Sequence, residues 1–301
     1  PESLQFFLNL HKINDLLRIN EYLIQINNIL EQDAICVVCA QTISQRWNHH
    51  LRKYRKLFGI LLYFFDFIFH RVFPKLPLFQ GWYYLLTHGR DRALPETEIL
   101  GRLVFCGFDL INKDEFDGMM FFVVKKAHKP LNDSNPSYGP LIKLKRIGKN
   151  GKLINIYKLR TMHPYSEYLQ DYVYRVCNLK EGGKFRNDFR VTFWGKIFRK
   201  MWIDELPQFW NLLKGDVKLV GVRALSKHYF SLYPKNMQEL RIRVKPGLIP
   251  PFYVDLPETF DEILESERRY TLKYLKHPIL TDIEYFFKAM WNIFIRKARS
   301  Q

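Results

Sequence analysis

Asp204 and Glu205 stand side by side in the run Trp202-Ile203-Asp204-Glu205-Leu206-Pro207-Gln208-Phe209-Trp210, two carboxylates set among apolar residues. Acidic side chains are seldom buried without a partner. Arg199 and Lys200 precede the pair by roughly one helical turn. A carboxylate held near cations stays ionised, and it can attack an electrophile, bind a metal or move a proton. The neighbouring positive charge is expected to lower the carboxyl pKa. The plainer alternative is a helix N-terminus with Asp204 as cap and Pro207 in the first turn.

More cations surround the pair in sequence. Leu141 to Arg160 holds seven Lys or Arg residues and no acid, and Lys158-Leu159-Arg160-Thr161-Met162 closes that stretch. Cations at the end of a rigid element, next to a hydroxyl, suit a phosphate or pyrophosphate. A solvated basic surface is the alternative. Downstream, Gly215 and Gly221 bracket a short strand, Arg223 leaves its end, and Arg241, Arg243 and Lys245 precede Pro246-Gly247.

The elements that must position these groups follow from periodicity. Asn150-Gly151, between the strand-like runs Leu141–Ile147 and Lys152–Leu159, signals a β-hairpin. Helical spacing resumes from Tyr165, from Trp194 to Leu213 and from Asp282 to Arg296. Residues 2 to about 50 read as helices, because Leu4, Phe6, Phe7, Leu10 and Ile13, and later Leu23, Ile24, Ile26 and Ile29, recur at helical spacing. Residues 82–135 read as a small mixed unit, with a helix start at Leu94-Pro95-Glu96 and a buried strand over Met119–Val124.

Leu57–Phe69 is apolar apart from Asp66, has basic flanks, and is followed by Pro74 and Pro77. It falls short of the roughly 18 apolar residues of a spanning helix. A re-entrant or interfacial segment and a buried core helix both fit. It lies too far into the chain for a secretory signal. In the last helix, Ile283, Phe286, Phe287, Met290, Trp291 and Phe294 share an apolar face while Lys288, Arg296, Lys297 and Arg299 are basic. That helix suits a membrane interface, or packing on the core.

Composition narrows the partners. The 301 residues carry 47 Lys+Arg against 30 Asp+Glu, a net charge of +17, with 16% aromatics. This balance suits anionic lipid, a phosphorylated substrate or nucleic acid. No helix-turn-helix, RNP-like or zinc-finger pattern appears, so nucleic acid is not expected as a partner. Four cysteines make no disulfide framework. Cys36-x-x-Cys39 lacks a second metal-binding pair and reads as two buried thiols on an apolar helix, in a reducing cytoplasmic setting. An opening Pro1 rather than Met is compatible with a fragment or a processed product.

Four blocks in order make the chain recognisable: Arg146-Ile147-Gly148-Lys149-Asn150-Gly151 through Lys158-Leu159-Arg160-Thr161-Met162; Asp188-Phe189-Arg190-Val191-Thr192 with Gly195-Lys196 and Arg199-Lys200; Asp204-Glu205-Leu206-Pro207-Gln208 with Asn211 and Lys214-Gly215-Asp216; and Leu219-Val220-Gly221-Val222-Arg223 followed by Lys245-Pro246-Gly247. Over roughly residues 136–255 the sequence resembles the bacterial sugar transferases, the monotopic polyprenyl-phosphate sugar-1-phosphate transferases. It departs from them in reading Gly221-Val222-Arg223-Ala224 where the family usually has Gly-Pro-Arg-Pro, and Leu248-Ile249-Pro250-Pro251-Phe252 after Gly247. Its candidate membrane segment also lies about sixty residues earlier than the family's.

The resemblance implies a helix-rich α+β fold: a catalytic domain over 136–301 with a short β-hairpin and amphipathic helices. An N-terminal helical region (1–56), a membrane-associated helix-break segment (57–80) and a mixed insertion (81–135) would precede it. It also implies transfer of a sugar-1-phosphate from a UDP-sugar to polyprenyl (undecaprenyl) phosphate, with release of UMP, at the cytoplasmic face of the bacterial inner membrane. Asp204 would be the nucleophile, forming an aspartyl-phosphosugar intermediate, and Glu205 would bind Mg2+. Lys158, Arg160, Arg199, Lys200, Arg223 and Arg243 would contact substrate phosphates. The product would start a lipid-linked glycan such as an exopolysaccharide. Two other readings remain open: a catalytically weak relative that scaffolds glycan assembly, and a basic nucleic-acid-binding protein.

Overall fold

A computed structural model describes residues 4–133, 136, 138–176 and 188–295. The chain forms two compact units, each assembled from two stretches of sequence: residues 1–140 with 161–196, and residues 141–160 with 197–301.

The first unit is built on a four-stranded mixed sheet in the order β1-β2-β4-β3. Its elements are β1 (Leu4–Asn9), α1 (Ile19–Ile29), β2 (Leu30–Ala40), α2 (Ile43–Lys53), α3 (Lys56–Phe67), α4 (Pro77–Thr87), α5 (Glu96–Phe105), β3 (Phe108–Phe116), β4 (Met119–Lys126) and α6 (Gln170–Val176). The helices expected over residues 2–50 are therefore corrected to a strand–helix–strand–helix order. Short apolar runs carry no decisive period. Here long-range pairing decides: β1 runs parallel to β2, and β4 antiparallel to it. Strands from residues 1–56 and from 82–135 thus share one sheet, where the sequence pattern separates the two segments.

Cys36 and Cys39 sit on β2 rather than on a helix, and both are buried. Three residues apart on a strand, they point to opposite faces. Burial pushes the Cys36 thiol up to about 12, which suits an inert packing group.

The helix start at Glu96 and the strand at Met119 are where the sequence places them. The apolar segment is longer than its composition suggests. α3 continues through a π turn (Ile68–Val72) and a 3-10 turn (Phe73–Lys75), so Lys56–Lys75 makes 20 residues, long and apolar enough by length and composition to cross a membrane. Pro77 then begins α4 after an extended Leu76. Most of Lys56–Lys75 is not buried, which argues against a core helix. Asp66 is held bidentately by Arg46, at 2.5 and 2.7 Å. Beyond it, fully buried Glu98 on α5 accepts from Arg71 at 2.6 Å and Arg102 at 3.0 Å.

The second and fourth sequence blocks acquire local reasons. Asp188 pairs bidentately with Arg190, whose other nitrogen donates to Gln170. Thr192 receives the Gly195 N–H on its hydroxyl and donates its own N–H to the Thr161 carbonyl. A Cβ on Gly195 would lie 1.9 Å from that carbonyl oxygen, so this entry to α7 (Phe193–Lys200) needs glycine.

The second unit holds the hairpin β5 (Leu141–Ile147) and β6 (Leu153–Leu159), then α8 (Gln208–Leu213), β7 (Lys218–Val220), α9 (Lys227–Ser231), α10 (Lys235–Arg241), β8 (Gly247–Ile249), α11 (Phe252–Asp255), α12 (Phe260–Lys276) and α13 (Pro278–Phe294). The helical run expected over Trp194–Leu213 is interrupted. After α7, Trp202 takes a left-handed conformation and Ile203–Glu205 form a 3-10 turn before α8. α13 turns its small and polar side inward: Thr281, Tyr285, Ala289 and Asn292 are buried, while Ile283, Phe287, Trp291 and Phe294 are exposed. Of its apolar face only the edge at Phe286 packs on the core, and most of the rest is exposed.

β7 and β8 pair in parallel, with Lys218 opposite Gly247 and Val220 opposite Ile249. A Cβ on Gly247 would come within 2.1 Å of the Gly221 nitrogen. Gly247→Ala is expected to destabilise the chain by about 1–3 kcal/mol through this backbone clash, read as a lower urea midpoint with an unchanged slope.

Candidate active site

The site is built where the hairpin meets α8. Asn211 is fully buried on α8. Its amide donates to the Asn155 carbonyl at 2.6 Å and accepts from the Tyr157 N–H at 3.1 Å, so both contacts lie on β6. The same amide nitrogen reaches Asp216 at 3.2 Å, beyond the helix end. One side chain thus fixes the level of α8 on β6. That level sets Lys158, at the end of β6, beside the 3-10 turn, where its ammonium meets Glu205 Oε1 at 2.6 Å.

Asp204 is buried, with 8% of its surface exposed, and Glu205 beside it is half-exposed. Asp204 does not cap α8: it lies in the preceding turn, and Pro207 occupies the cap position with no side-chain cap bond. Trp202, just upstream, has φ 55°, an uncommon conformation for a bulky residue. Its ring meets Tyr253 edge-on, at 6.3 Å between centroids.

The expected fall in the carboxyl pKa is reversed for Asp204. Burial raises it, Lys158 opposes that rise, and the Glu205 charge adds to it, with a smaller opposing effect from Arg199. Desolvation of the buried anion outweighs the nearby cations, neither of which is hydrogen-bonded to it among the described residues.

The cations named from sequence divide into two groups. Lys158 pairs with Glu205, and its charge, with a smaller effect from Arg199, acts on Asp204. Lys200 is exposed beside Arg199 at the end of α7, and Arg160 is half-buried just past β6. Arg223 and Arg243 lie elsewhere in the unit. Arg223 is exposed in the loop after β7, and Arg243 is exposed just past α10, with no hydrogen bond or ion pair to the carboxylates among the described residues. Asn211 and Asp216 carry positions that the sequence blocks contain without a role. A lone amide between Trp210 and Leu212 in a helix is the signal, since Asn is an unfavourable helix-interior residue unless its side chain is engaged.

Among the described residues there is no cluster of three or more metal-ligating side chains. The donor set nevertheless fits Mg2+, which is usually held by one or two carboxylates with substrate phosphates and water. Glu205 uses Oε1 on Lys158, and its Oε2 makes no hydrogen bond among the described residues.

Residues 130–296, more than half of the chain, match the family model described as bacterial sugar transferase. The chain belongs to the bacterial sugar transferase family. Among its relatives, the galactosyl transferase CpsE of Streptococcus agalactiae is 36% identical over 184 residues, covering 60% of this chain and 37% of the relative. The UDP-glucose:undecaprenyl-phosphate glucose-1-phosphate transferase of Klebsiella pneumoniae is 33% identical over 170 residues, 54% of this chain and 34% of the relative. The undecaprenyl-phosphate galactose phosphotransferase of Salmonella typhimurium is 34% identical over 127 residues, 40% of this chain and 26% of the relative. The chain thus matches about a quarter to a third of the length of these curated relatives.

Two outcomes test the site. Asn211→Ala leaves the Tyr157 N–H and the Asn155 carbonyl without their partner and is expected to cost about 2 kcal/mol or more in a urea melt. Asp204→Asn removes a charge whose folded-state pKa is raised. The protonated form is the better tolerated one, so the penalty is absent below the ordinary carboxylate range and appears as pH rises through the folded-state value. Asp204→Asn is therefore expected to raise Tm at about pH 8 and to match wild type near about pH 3.

Proposed function

We propose that this chain carries the transfer step of a membrane-surface phosphoglycosyl transferase. It moves a sugar-1-phosphate from a UDP-sugar to a polyprenyl phosphate, undecaprenyl phosphate in bacteria. The observation that carries this reading is a buried Asp204 beside a Lys158–Glu205 ion pair, on the segment where the chain matches its family.

The chemistry follows from what each group does. An Asp204 carboxylate oxygen attacks the donor phosphorus that bears the sugar. The bond from that phosphorus to the bridging oxygen breaks, and UMP leaves with the electron pair. A phosphate oxygen of the polyprenyl acceptor then attacks the same phosphorus, forming the lipid diphosphate sugar and freeing the carboxylate. The raised pKa of Asp204 supports this role, because an anion destabilised by burial is relieved when its oxygen bonds to phosphorus. Lys158 and Arg199 offset charge on the phosphoryl oxygens. Glu205 would hold Mg2+ together with substrate phosphate, and the ion supplies further charge neutralisation.

Exposed apolar surface supports action at a membrane, and the face in this reading is the cytoplasmic one. Leu206 before α8, and Phe209, Trp210 and Leu213 on it, face solvent next to the carboxylates, and α13 presents Phe287, Trp291 and Phe294. In the first unit, Leu57, Leu61, Phe64 and Phe65 of α3 are exposed as well. Such surfaces with basic flanks suit an anionic lipid interface. The product would feed exopolysaccharide or another lipid-linked glycan.

UMP release from a panel of UDP-sugars, with magnesium and undecaprenyl phosphate, tests the reading on detergent-purified protein. Wild type is expected to form UMP with at least one donor, and Asp204→Asn to lower the rate on the order of a thousandfold or more. Equal rates in the two proteins would remove Asp204 from the chemistry. No UMP from any donor would leave the scaffold reading.

A further inference from the structure

Arg241, Arg243 and Lys245 read alike in the sequence, as three cations ahead of Pro246-Gly247. The fold separates them. Arg243 is exposed, whereas Arg241, the last residue of α10, is 5% exposed. Its guanidinium pairs with Glu267 of α12 through one terminal nitrogen and donates through the other to the Arg223 carbonyl, at 2.5 Å. Tyr233 covers it, with the ring centre 4.9 Å from the guanidinium carbon. Enclosed in this way, Arg241 is placed to hold protein rather than substrate.

The loop it holds runs from Gly221 to Leu225. The Gly221 N–H donates to the Ile249 carbonyl at 3.1 Å, and the Val222 carbonyl accepts from the Gly247 N–H at 2.9 Å. At the far end the Leu225 carbonyl accepts from the Ile147 N–H on β5, at 2.9 Å. The Arg223 carbonyl between them has no backbone donor among the described residues, and Arg241 supplies that link. The Arg223 and Ala224 N–H groups bond to no backbone carbonyl among the described residues. Without Arg241 this middle stretch is tethered only at its two ends. The exposed Arg223 side chain stands on it.

Stability alone is a weak reason for such a pair, because well-packed apolar side chains often replace a buried ion pair at no cost to the fold. The surroundings suit apolar groups: Leu225, Tyr233 and Met237 pack together, and Val222 packs with Val244. An apolar side chain cannot hold a carbonyl. An arginine fork serves a carboxylate and a carbonyl at once. The Asn150 N–H also meets the Ile242 carbonyl, at 2.7 Å, so the hairpin turn abuts the residue after Arg241.

We propose that Arg241, oriented by Glu267, is a positioning residue that fixes the backbone from which Arg223 acts. What Arg223 acts on rests on the transfer reading above; the hold on the loop does not.

The full chain in detergent carries the test, as wild type and as the double variant Arg241→Met/Glu267→Met, which removes the pair without leaving a lone buried charge. The double variant is expected to melt close to wild type. Hydrogen exchange reads the loop without reference to activity. The Gly247 and Ile147 amides, which bond loop carbonyls, are expected to exchange about tenfold faster in the double variant. Adding Ala224→Pro is expected to slow them again, since proline restricts the loop by another route. Unchanged exchange in the double variant, or no slowing by the proline, would overturn the proposal. Kinetics of UMP release then test what the hold is for. The double variant is expected to have about tenfold lower kcat/KM for the UDP-sugar, recovered by Ala224→Pro. Added to Arg223→Gln, it is expected to lower kcat/KM no further, because Arg241 acts through Arg223. Additive losses would overturn the positioning role. If the double variant does not fold, Arg241→Lys, which keeps a cation beside Glu267 and gives up the fork, is read in the same two ways. A wild type that forms no UMP removes the transfer reading and leaves exchange to decide the hold on the loop.

Discussion

The amide of Asn211 holds the second unit's chemistry in register. A hairpin and a two-turn helix have few ways to fix their relative level by apolar contact alone, because leucines and isoleucines tolerate small slides. A buried amide does not tolerate them: it must meet a backbone carbonyl and a backbone N–H together, and leaving either unpaired is costly. By bonding Asn155 and Tyr157 on β6, Asn211 brings Lys158 level with the turn that carries Asp204 and Glu205. The left-handed Trp202 and the edge-on Tyr253 confine the same turn from the other side.

Charge in this molecule is organised by burial as much as by pairing. Glu98 and Asp66 are buried or nearly so and satisfied by arginines, an arrangement that fastens the apolar Lys56–Lys75 segment within its own unit. Among the described residues Asp204 has no hydrogen-bonded cation of its own, so its charge is held at a cost. Arg146, half-buried on β5, is the positive counterpart: burial first, and then the Arg223 charge, push its guanidinium down. The satisfied networks position elements.

Much of the site is legible in the sequence because its signals are local. The Asn150-Gly151 turn defines the hairpin, and the Asp204-Glu205 pair and its upstream cations announce a phosphate-handling site. The N-terminal region is not legible in the same way. Leu4, Phe6 and Phe7 fit a helical spacing as well as a strand, and only pairing with Leu30, Ile35 and Cys36 on β2 makes them part of β1. The C-terminal helix shows the opposite failure. Its apolar face is plain in sequence, but which face meets the core depends on Tyr285 and Asn292 finding partners on α11 and α12, and Asn292 does so by donating to the Tyr253 and Val254 carbonyls.

By itself, the sequence determined the family, the hairpin, the carboxylate pair and the excess of positive charge, since these depend on residue type and short spacing. The tertiary structure alone decided how that charge is divided. Lys158 and Arg199 go to the carboxylates, and Arg241 goes to Glu267, while Arg223 stays exposed in the loop after β7. It alone decided the direction of the Asp204 shift as well. Both are sums over neighbours and solvent that chain order does not contain, and near Asp204 lost solvation outweighs the cations that sequence proximity promised.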